Sequence, residues 1–539
     1  MKKHILLLAI SFITFSSFSQ NYIIDWQQCF GGSGYESAHG IIATEFGSLL
    51  CGDVNSDDGN FYNYHGHGDA WVVAFDTLGT IIWDRCYGGS SLDGGYFIVE
   101  AKGENAYYLI GTTASTDGDI TYNPNPEFGS IWVIKIDIEG DIIWDITIGN
   151  GHDILNYNIA ASSTNDGGLV IGANIAASGG DVSHHFGDFD AWIGKISVNG
   201  EIQWDQTIGT ETGAEFLNII KQLSDGSYLA AIYGIPKEIG SGNINCSTYS
   251  STYTDVILFK MDSIGNKEWD RCYGGSQSES LIDFIEYKDG LLLASSTNSR
   301  DGDVEGTIYH EGNDIWIIHT DISGNIIWSK CFGGSDYETP RQLFVDADNN
   351  IFLFGHTSSN NFDVSGNHAS QDIWFVKIGE DTEILYQKCF GGFGDESLYK
   401  TVCYKDDIFS IAATIYNSNN NSGDIQCELQ GSLNTNMWIF AISDSLTSNL
   451  IEEEQFNFEI YPNPANKTIT VSLPNEDMHL HSSSEIMLQL INSQGILMDV
   501  FPLSSKTTIN TTNYPSGLYF IQCYINNQFL SSKVVILHE

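Results

Sequence analysis

The sequence predicts an all-β protein: a seven-bladed β-propeller of four-stranded blades, its N-terminal strand closing the last blade, followed by a C-terminal β-sandwich. Three observations carry this. Trp26, Trp83, Trp144, Trp204, Trp269, Trp328 and Tyr386 recur every 57–65 residues, each opening a segment such as WDRCYGGS or YQKCFGGF. A second series, Trp71, Trp132, Trp192, Ile257, Trp316, Trp374 and Trp438, recurs every 58–65 residues in segments such as DIWIIHTD. All 12 Trp fall in these two series, so repeated core packing explains them before any carbohydrate platform does. The third observation is strand character without helical periodicity: short, nearly continuous apolar runs separated by turns such as DTLG, DIEG and DISG.

In chain order, residues 1–19 read as a signal peptide: Lys2 and Lys3, an apolar stretch from Ile5 to Phe15, then Ser17 and Ser19 before Gln20. Residues 20–443 are the propeller. The first unit offers Gly40–Thr44, Ser48–Gly52, Ala70–Phe75 and Thr80–Trp83 as its four strands. Tyr22–Cys29 matches a fourth strand with no first three before it, whereas the unit ending at Ser443 has three and lacks a fourth. The N-terminal strand should therefore complete the last blade, which also removes an unpaired sheet edge. Residues 444–455, with Glu452 to Glu454, read as a linker, and 456–539 as the sandwich, strands divided by Pro and Gly turns.

Composition narrows the function classes. The chain has 539 residues, with 22 Lys and Arg against 69 Asp and Glu, a formal charge of −47. Nucleic-acid affinity rests on cations neutralising phosphates, so that partner is excluded as the default. No later segment is long and apolar enough to cross a bilayer as a helix. A monomer is expected.

The units, of the type GGSxxE, a DNN-like or NDGG-like turn, DIWxxxxD and GNIxW, resemble propeller repeats in secreted proteins of gliding-type bacteria over about residues 21–443. The C-terminal part resembles the sorting domain of the type IX secretion system. The residues that carry this are Tyr461-Pro462-Asn463-Pro464, Leu490 to Gly495, Pro515-Ser516-Gly517-Leu518-Tyr519 and Lys533 to Ile536. That resemblance implies handling by the type IX machinery, passage through the periplasm, and display on the outer-membrane surface or release.

Candidate chemistry is spread over the repeats. Glu36, Asp93, Asp153, Glu215, Glu279, Glu338 and Glu396 follow the fourth-strand aromatic by 9–11 residues and should ring one mouth of the central channel. Such a ring could hold a cation, or each member could accept backbone N–H bonds at the blade crossing; the second role is favoured because it recurs in every blade. Before the third strand lie Asn60, Asp119, Asp181, Asn243, Asp303, Asp363 and Asp424; Asp117 with Asp119, and Asp301 with Asp303, are the calcium candidates, set against a turn-forming role. His65, His185, His310 and His368 precede Asp69, Asp190, Asp314 and Asp372 and should bond them. Cys29, Cys86, Cys272, Cys331 and Cys389 share a position with Thr147 and Thr207 and read as small buried contacts, leaving Cys403–Cys427 as the pair open to bridging. Arg85, Arg271, Lys330 and Lys388 share an outer-strand position where charge blunts edge pairing. No GxSxG or HExxH is present; His152–Asp153 and the insertion Lys237–Thr254 are the irregularities. The expectation is a non-enzymatic binding protein for a glycan or protein, without a resident cofactor; the alternative is a polysaccharide hydrolase or lyase at the channel mouth.

Overall fold

The computed structural model describes residues 21–445 and 459–538, apart from 62, 128, 150–153, 235–241, 307–309, 406, 417–421, 430–434, 462–464, 473–486, 493–496, 503–505 and 526–527. The expected signal peptide, Asp153 with His152, most of the linker, the first part of the fourth-unit insertion, and Pro462 to Pro464 lie outside the described residues. Two compact units meet in sequence at Leu446 and Thr447.

The first unit is built from seven four-stranded antiparallel sheets, one per repeat. In the first blade Glu36–Ala43, Gly47–Val54, Asp69–Asp76 and Ile81–Tyr87 pair in chain order. The second and third strands are buried almost throughout because both faces of every sheet meet a neighbouring blade. Leu229 and Val256 of the fourth blade, for example, share a core with Leu291 and Trp316 of the fifth. Tyr22–Phe30 pairs with Thr435–Asp444, so the N-terminal strand is the fourth strand of the last blade, as its lone sequence position predicted. That blade in turn packs on the first: Met437 and Ile439 join Phe30 and Phe75 in one core, and Thr414 Oγ1 accepts the Ala38 N–H at 3.2 Å.

The two aromatic series do different work. On the third strand, the Nε1–H of Trp71, Trp132 and Trp192 donates to Asp84, Asp145 and Asp205 at 3.0–3.2 Å, and Trp374 and Trp438 use Gln387 and Gln27 at 3.0 and 3.2 Å. The acceptor is always the residue after the outer aromatic, so the two series form one cross-strand motif. The outer aromatics carry the next blade's hairpin. Gly79 has φ +79° and a Cβ there would lie 2.4 Å from the Trp26 ring, so the turn needs glycine for both conformation and space. The outer-strand cations reach the same turns: Arg85 pairs with Asp141, and Lys330 Nζ donates to Thr382 O at 2.7 Å. They tie neighbouring blades together, which corrects their reading as charges that only blunt an edge.

The cysteines also require correction. Cys427 bonds Cys29 rather than Cys403, and Cys272 bonds Cys246, each pair with Cα atoms 5.5 Å apart. In both cases a fourth-strand cysteine meets the loop between the second and third strands of its own blade. The fourth-strand position, read as a small buried contact because Cys exchanges with Thr there, lies under this loop, which folds back over the fourth strand. Elsewhere the same position tethers the loop by hydrogen bonds: Thr147 Oγ1 donates to Tyr122 O at 2.7 Å and Thr207 Oγ1 to His184 O at 2.6 Å.

The second unit has a three-stranded sheet of Glu459–Tyr461, Thr468–Ser472 and Lys506–Asn510, and a four-stranded sheet ordered Leu497–Pro502, Met487–Asn492, Gly517–Ile525 and Gln528–Ile536. Ile469, Val471 and Ile509 from one sheet and Leu490, Ile521 and Val534 from the other fill a common core, which makes it a sandwich. Gly517 opens its strand opposite Ile536, Tyr519 is buried with its hydroxyl donating to Pro515 O at 2.9 Å, and Lys533 stands opposite Phe520. Tyr461 pairs with Thr470.

One blade lacks the Trp acceptor. Ser329 occupies that position in the fifth blade, and the buried Trp316 Nε1–H meets no acceptor. Ser329→Asp should raise unfolding stability by about 1 kcal/mol, the usual net value of one hydrogen bond, measured by denaturant titration.

Candidate functional site

The chain leaves each blade by its outer strand and crosses to the innermost strand of the next through a Gly-Gly-type turn. The repeated carboxylate opens that inner strand. Glu36, Asp93, Glu215, Glu279, Glu338 and Glu396 are all at most 2% exposed. Each accepts the backbone N–H of the residue four or five before it, Gly32, Gly89, Thr210, Gly275, Gly334 and Gly392, at 2.7–3.2 Å. Hydroxyls complete several of them, Thr297 on Glu279 and Thr357 on Glu338 at 2.7 Å. The carboxylates thus stand at the expected sequence position, buried in the junctions, and take the backbone-accepting role favoured for them.

A second buried carboxylate lies beside most of them. Asp69, Asp190, Asp255, Asp314 and Asp372 open the third strand of the preceding blade, are 0% exposed, and each keeps one oxygen without a hydrogen-bond donor. Between the two acids sits the first glycine of the pair. A Cβ on Gly333 would lie 2.4 Å from Asp314 Oδ1 and 2.8 Å from Glu338 Oε2, and one on Gly334 2.3 Å from Ser359 Cβ. The Gly-Gly signature is therefore a steric requirement of two acids and a backbone sharing one space. Burial pushes Glu215 up to about 7 and Asp255 up to about 7, the latter also repelled by Glu279; burial and then Asp372 push Glu396 up to about 8.

The loop residues close the same junction from outside. Asn60, Asp119, Asp181, Asn243, Asp303, Asp363 and Asp424 accept the N–H of the first residue of the crossing at 3.0–3.4 Å and return their own N–H to its carbonyl at 2.9–3.3 Å. Asp117 and Asp301 accept from Ser90 N and Ser276 N at 2.7 Å. The bond from Ser90 holds Asp117 below the ordinary carboxylate value, while burial raises Asp303. The four calcium candidates are thus engaged with backbone, and no group of three metal-ligating side chains comes together among the described residues. His65 and His368 donate or accept through Nδ1 at 2.8 and 2.7 Å from Asp69 and Asp372; His185 and His310 lie 3.5 and 3.6 Å from Asp190 and Asp314.

What remains free of this scaffolding lies along the channel and on the loop face. Six inner strands skip a single residue at matching places in their pairing, His39, Tyr96, Asn218, Ile282, Arg341 and Tyr399, the last strand skipping Tyr404 as well, while in the third blade the register breaks between Leu155 and Ala160. The His39 ring stands edge-on to Tyr96 at 5.2 Å and to Tyr399 at 4.9 Å, and its Nε2 meets Asp53 Oδ2 at 2.9 Å. Tyr399 and Tyr416 hydroxyls bond at 3.1 Å. Beside them a cavity of about 430 Å³ opens between the sixth and seventh blades, lined by Asp336, Ser358, Gln371, Asp395, Ser397 and Tyr416. Sequence reasoning missed this group. These positions vary from unit to unit and carry no repeated motif that a sequence search would pick out.

Residues 459–537 match the family described as the secretion system C-terminal sorting domain, and the chain is exported by the type IX route to the cell surface or the medium. No helix among the described residues is long and apolar enough to cross a membrane. No curated protein matches the sequence. Solved structures similar in fold include a prolyl endopeptidase (10% identity, TM-score 0.41, covering 82% of this chain and 55% of that one). The periplasmic gluconolactonase PpgL of Pseudomonas aeruginosa is 9% identical (TM-score 0.39, 75% and 98% covered), and the endosialidase of phage phi92 is 9% identical (TM-score 0.38, 95% and 87%). These likenesses carry no argument about activity.

The buried acids set a pH dependence. The native pKa values of Glu215, Asp255 and Glu396 lie above the unfolded ones, so the folded state holds more protons between about pH 4 and 8. The stability they contribute is complete below about pH 4 and is lost as pH rises through 7–8. Unfolding free energy should therefore fall from pH 6 to pH 9 even in high salt, and Glu396→Gln should flatten that slope. A salt-abolished slope would assign it to surface repulsion instead.

Proposed function

We propose that the protein is an exported, non-enzymatic binding protein whose propeller engages a glycan or protein ligand through its loop face, the sandwich serving as the sorting signal. One observation carries the reading: the repeated acids are consumed by the backbone, while aromatic side chains stand exposed on the crossings and on the loops between second and third strands. Tyr35, Tyr337 and Phe393 on the crossings are 60%, 51% and 74% exposed. Phe362 is the most telling. It takes φ +55° where five other units place glycine in the same left-handed region, and its ring is 68% exposed. A bulky residue held there costs stability, and apart from its contact with the His310 ring at 5.3 Å its side chain faces solvent, which is the mark of a side chain kept for contact.

Buried carboxylates locked to glycine N–H groups have no path to a glycosidic bond, so acid/base catalysis at the channel mouth is disfavoured. Two experiments test the reading. Deleting residues 456–539 should leave the propeller folded and held in the periplasm; normal appearance in the medium would contradict the sorting role. In a screen of the propeller against polysaccharides and peptides, binding without turnover is expected, and Phe362→Gly should raise thermal stability while weakening the bound ligand severalfold. Turnover would favour the hydrolase or lyase alternative.

A further inference from the structure

Two cations lie on the inner strands of the sixth and seventh blades, and one of them has a nitrogen that the scaffold does not use. Arg341 is the skipped residue of the inner strand Glu338–Val345, and its Nε is buried with no acceptor. The groups that face its guanidinium are the phenols of Tyr337, Tyr399 and Tyr416 and the imidazole of His356, none of them a carboxylate. His356 is itself engaged, its Nε2 accepting Leu398 N–H at 2.7 Å. Lys400 is on the adjacent inner strand, Asp395–Lys405, and burial pushes its amine down to about 8. The nearest acid it senses is Asp283, two blades away across the channel. Asp283 is already spent: one oxygen takes Lys221 Nζ at 2.6 Å, the other takes Gln342 Nε2 at 3.2 Å and Leu343 N–H at 2.9 Å.

Leaving the Arg341 Nε buried without an acceptor is costly unless something supplies one. We infer that the junction of the sixth and seventh blades binds the carboxylate of an acidic saccharide, with the Arg341 guanidinium as its bidentate partner. The planar fork of arginine matches a carboxylate's two oxygens. Tyr416 links this point to the 430 Å³ cavity on the loop face, where Asp336, Ser358, Gln371 and Asp395 offer acceptors and donors for sugar hydroxyls and repel a second anion. The ligand that satisfies both ends carries its charge inward and its hydroxyls outward. The inference rests on the binding reading above and names the ligand class for it.

The test is titration of the exported full chain with sodium glucuronate and an oligoglucuronate, against glucose and against sodium chloride at equal ionic strength. Saturable binding and a rise in melting temperature are expected with the uronates alone. Arg341→Gln removes a buried Nε that has no acceptor, so it should melt no lower than the parent, while binding uronate at least about tenfold more weakly. Arg341→Lys keeps the charge but not the fork, and should weaken uronate binding as well; it carries the test if the Gln variant does not fold. Uronate binding no better than chloride, or unchanged in both variants, overturns the anion site. A neutral glycan or peptide bound equally by parent and Arg341→Gln would overturn it while leaving the binding function intact. Arg341-dependent release of shorter products from oligoglucuronate would keep the anion site and overturn the non-enzymatic reading.

Discussion

A carboxylate buried against the backbone of a Gly-Gly turn is the constraint on which the propeller depends. At the described blade-to-blade crossings the chain turns from an outer strand into an inner one, with the first residues of the turn, such as Gly31 and Gly32, buried. The N–H groups of that turn need acceptors there, because an orphaned buried donor costs about 1–3 kcal/mol. An acid four residues on supplies one, as Glu338 does for Gly334, and the Asn or Asp of the neighbouring loop supplies another, as Asp363 does for Gly333. The glycines follow from the acids, since no side chain fits between Asp314 and Glu338. Disulfides, Trp-to-Asp bonds and the outer-strand cations then fasten elements whose places this crossing has set.

That division of labour separates scaffold from surface. Polar residues that repeat are consumed in holding the chain to itself, and their number explains how so acidic a protein folds: part of its negative charge is buried and partly protonated rather than displayed. Residues that do not repeat are released from that duty. The inner-strand bulges bring His39, Tyr96, Arg341 and Tyr399 to the channel, and the loop ends expose Tyr337, Phe362 and Phe393.

The seven-fold fold was legible because its anchors are periodic and each serves the same contact in each blade. Closure by Tyr22–Phe30 was legible from counting strands, and the sandwich from four landmarks in order. The disulfides were not, because Cys427 and Cys246 sit in loops whose path back over the fourth strand has no sequence period. The inner-strand group was hidden for the opposite reason: a search for repeated chemistry passes over positions that vary from blade to blade, and the Arg341 Nε is seen to lack an acceptor only once the strands around it are in place.

The measurement closest to the central claim is hydrogen–deuterium exchange at the crossing glycines. Although these turns lie at the end of each blade where the long loops emerge, the amides of Gly32, Gly89, Gly275, Gly334 and Gly392 should exchange as slowly as those of the buried third strands, and together. Exchange at the rate of the exposed loops would show that the acids do not hold these turns, and the account of the junctions would fail.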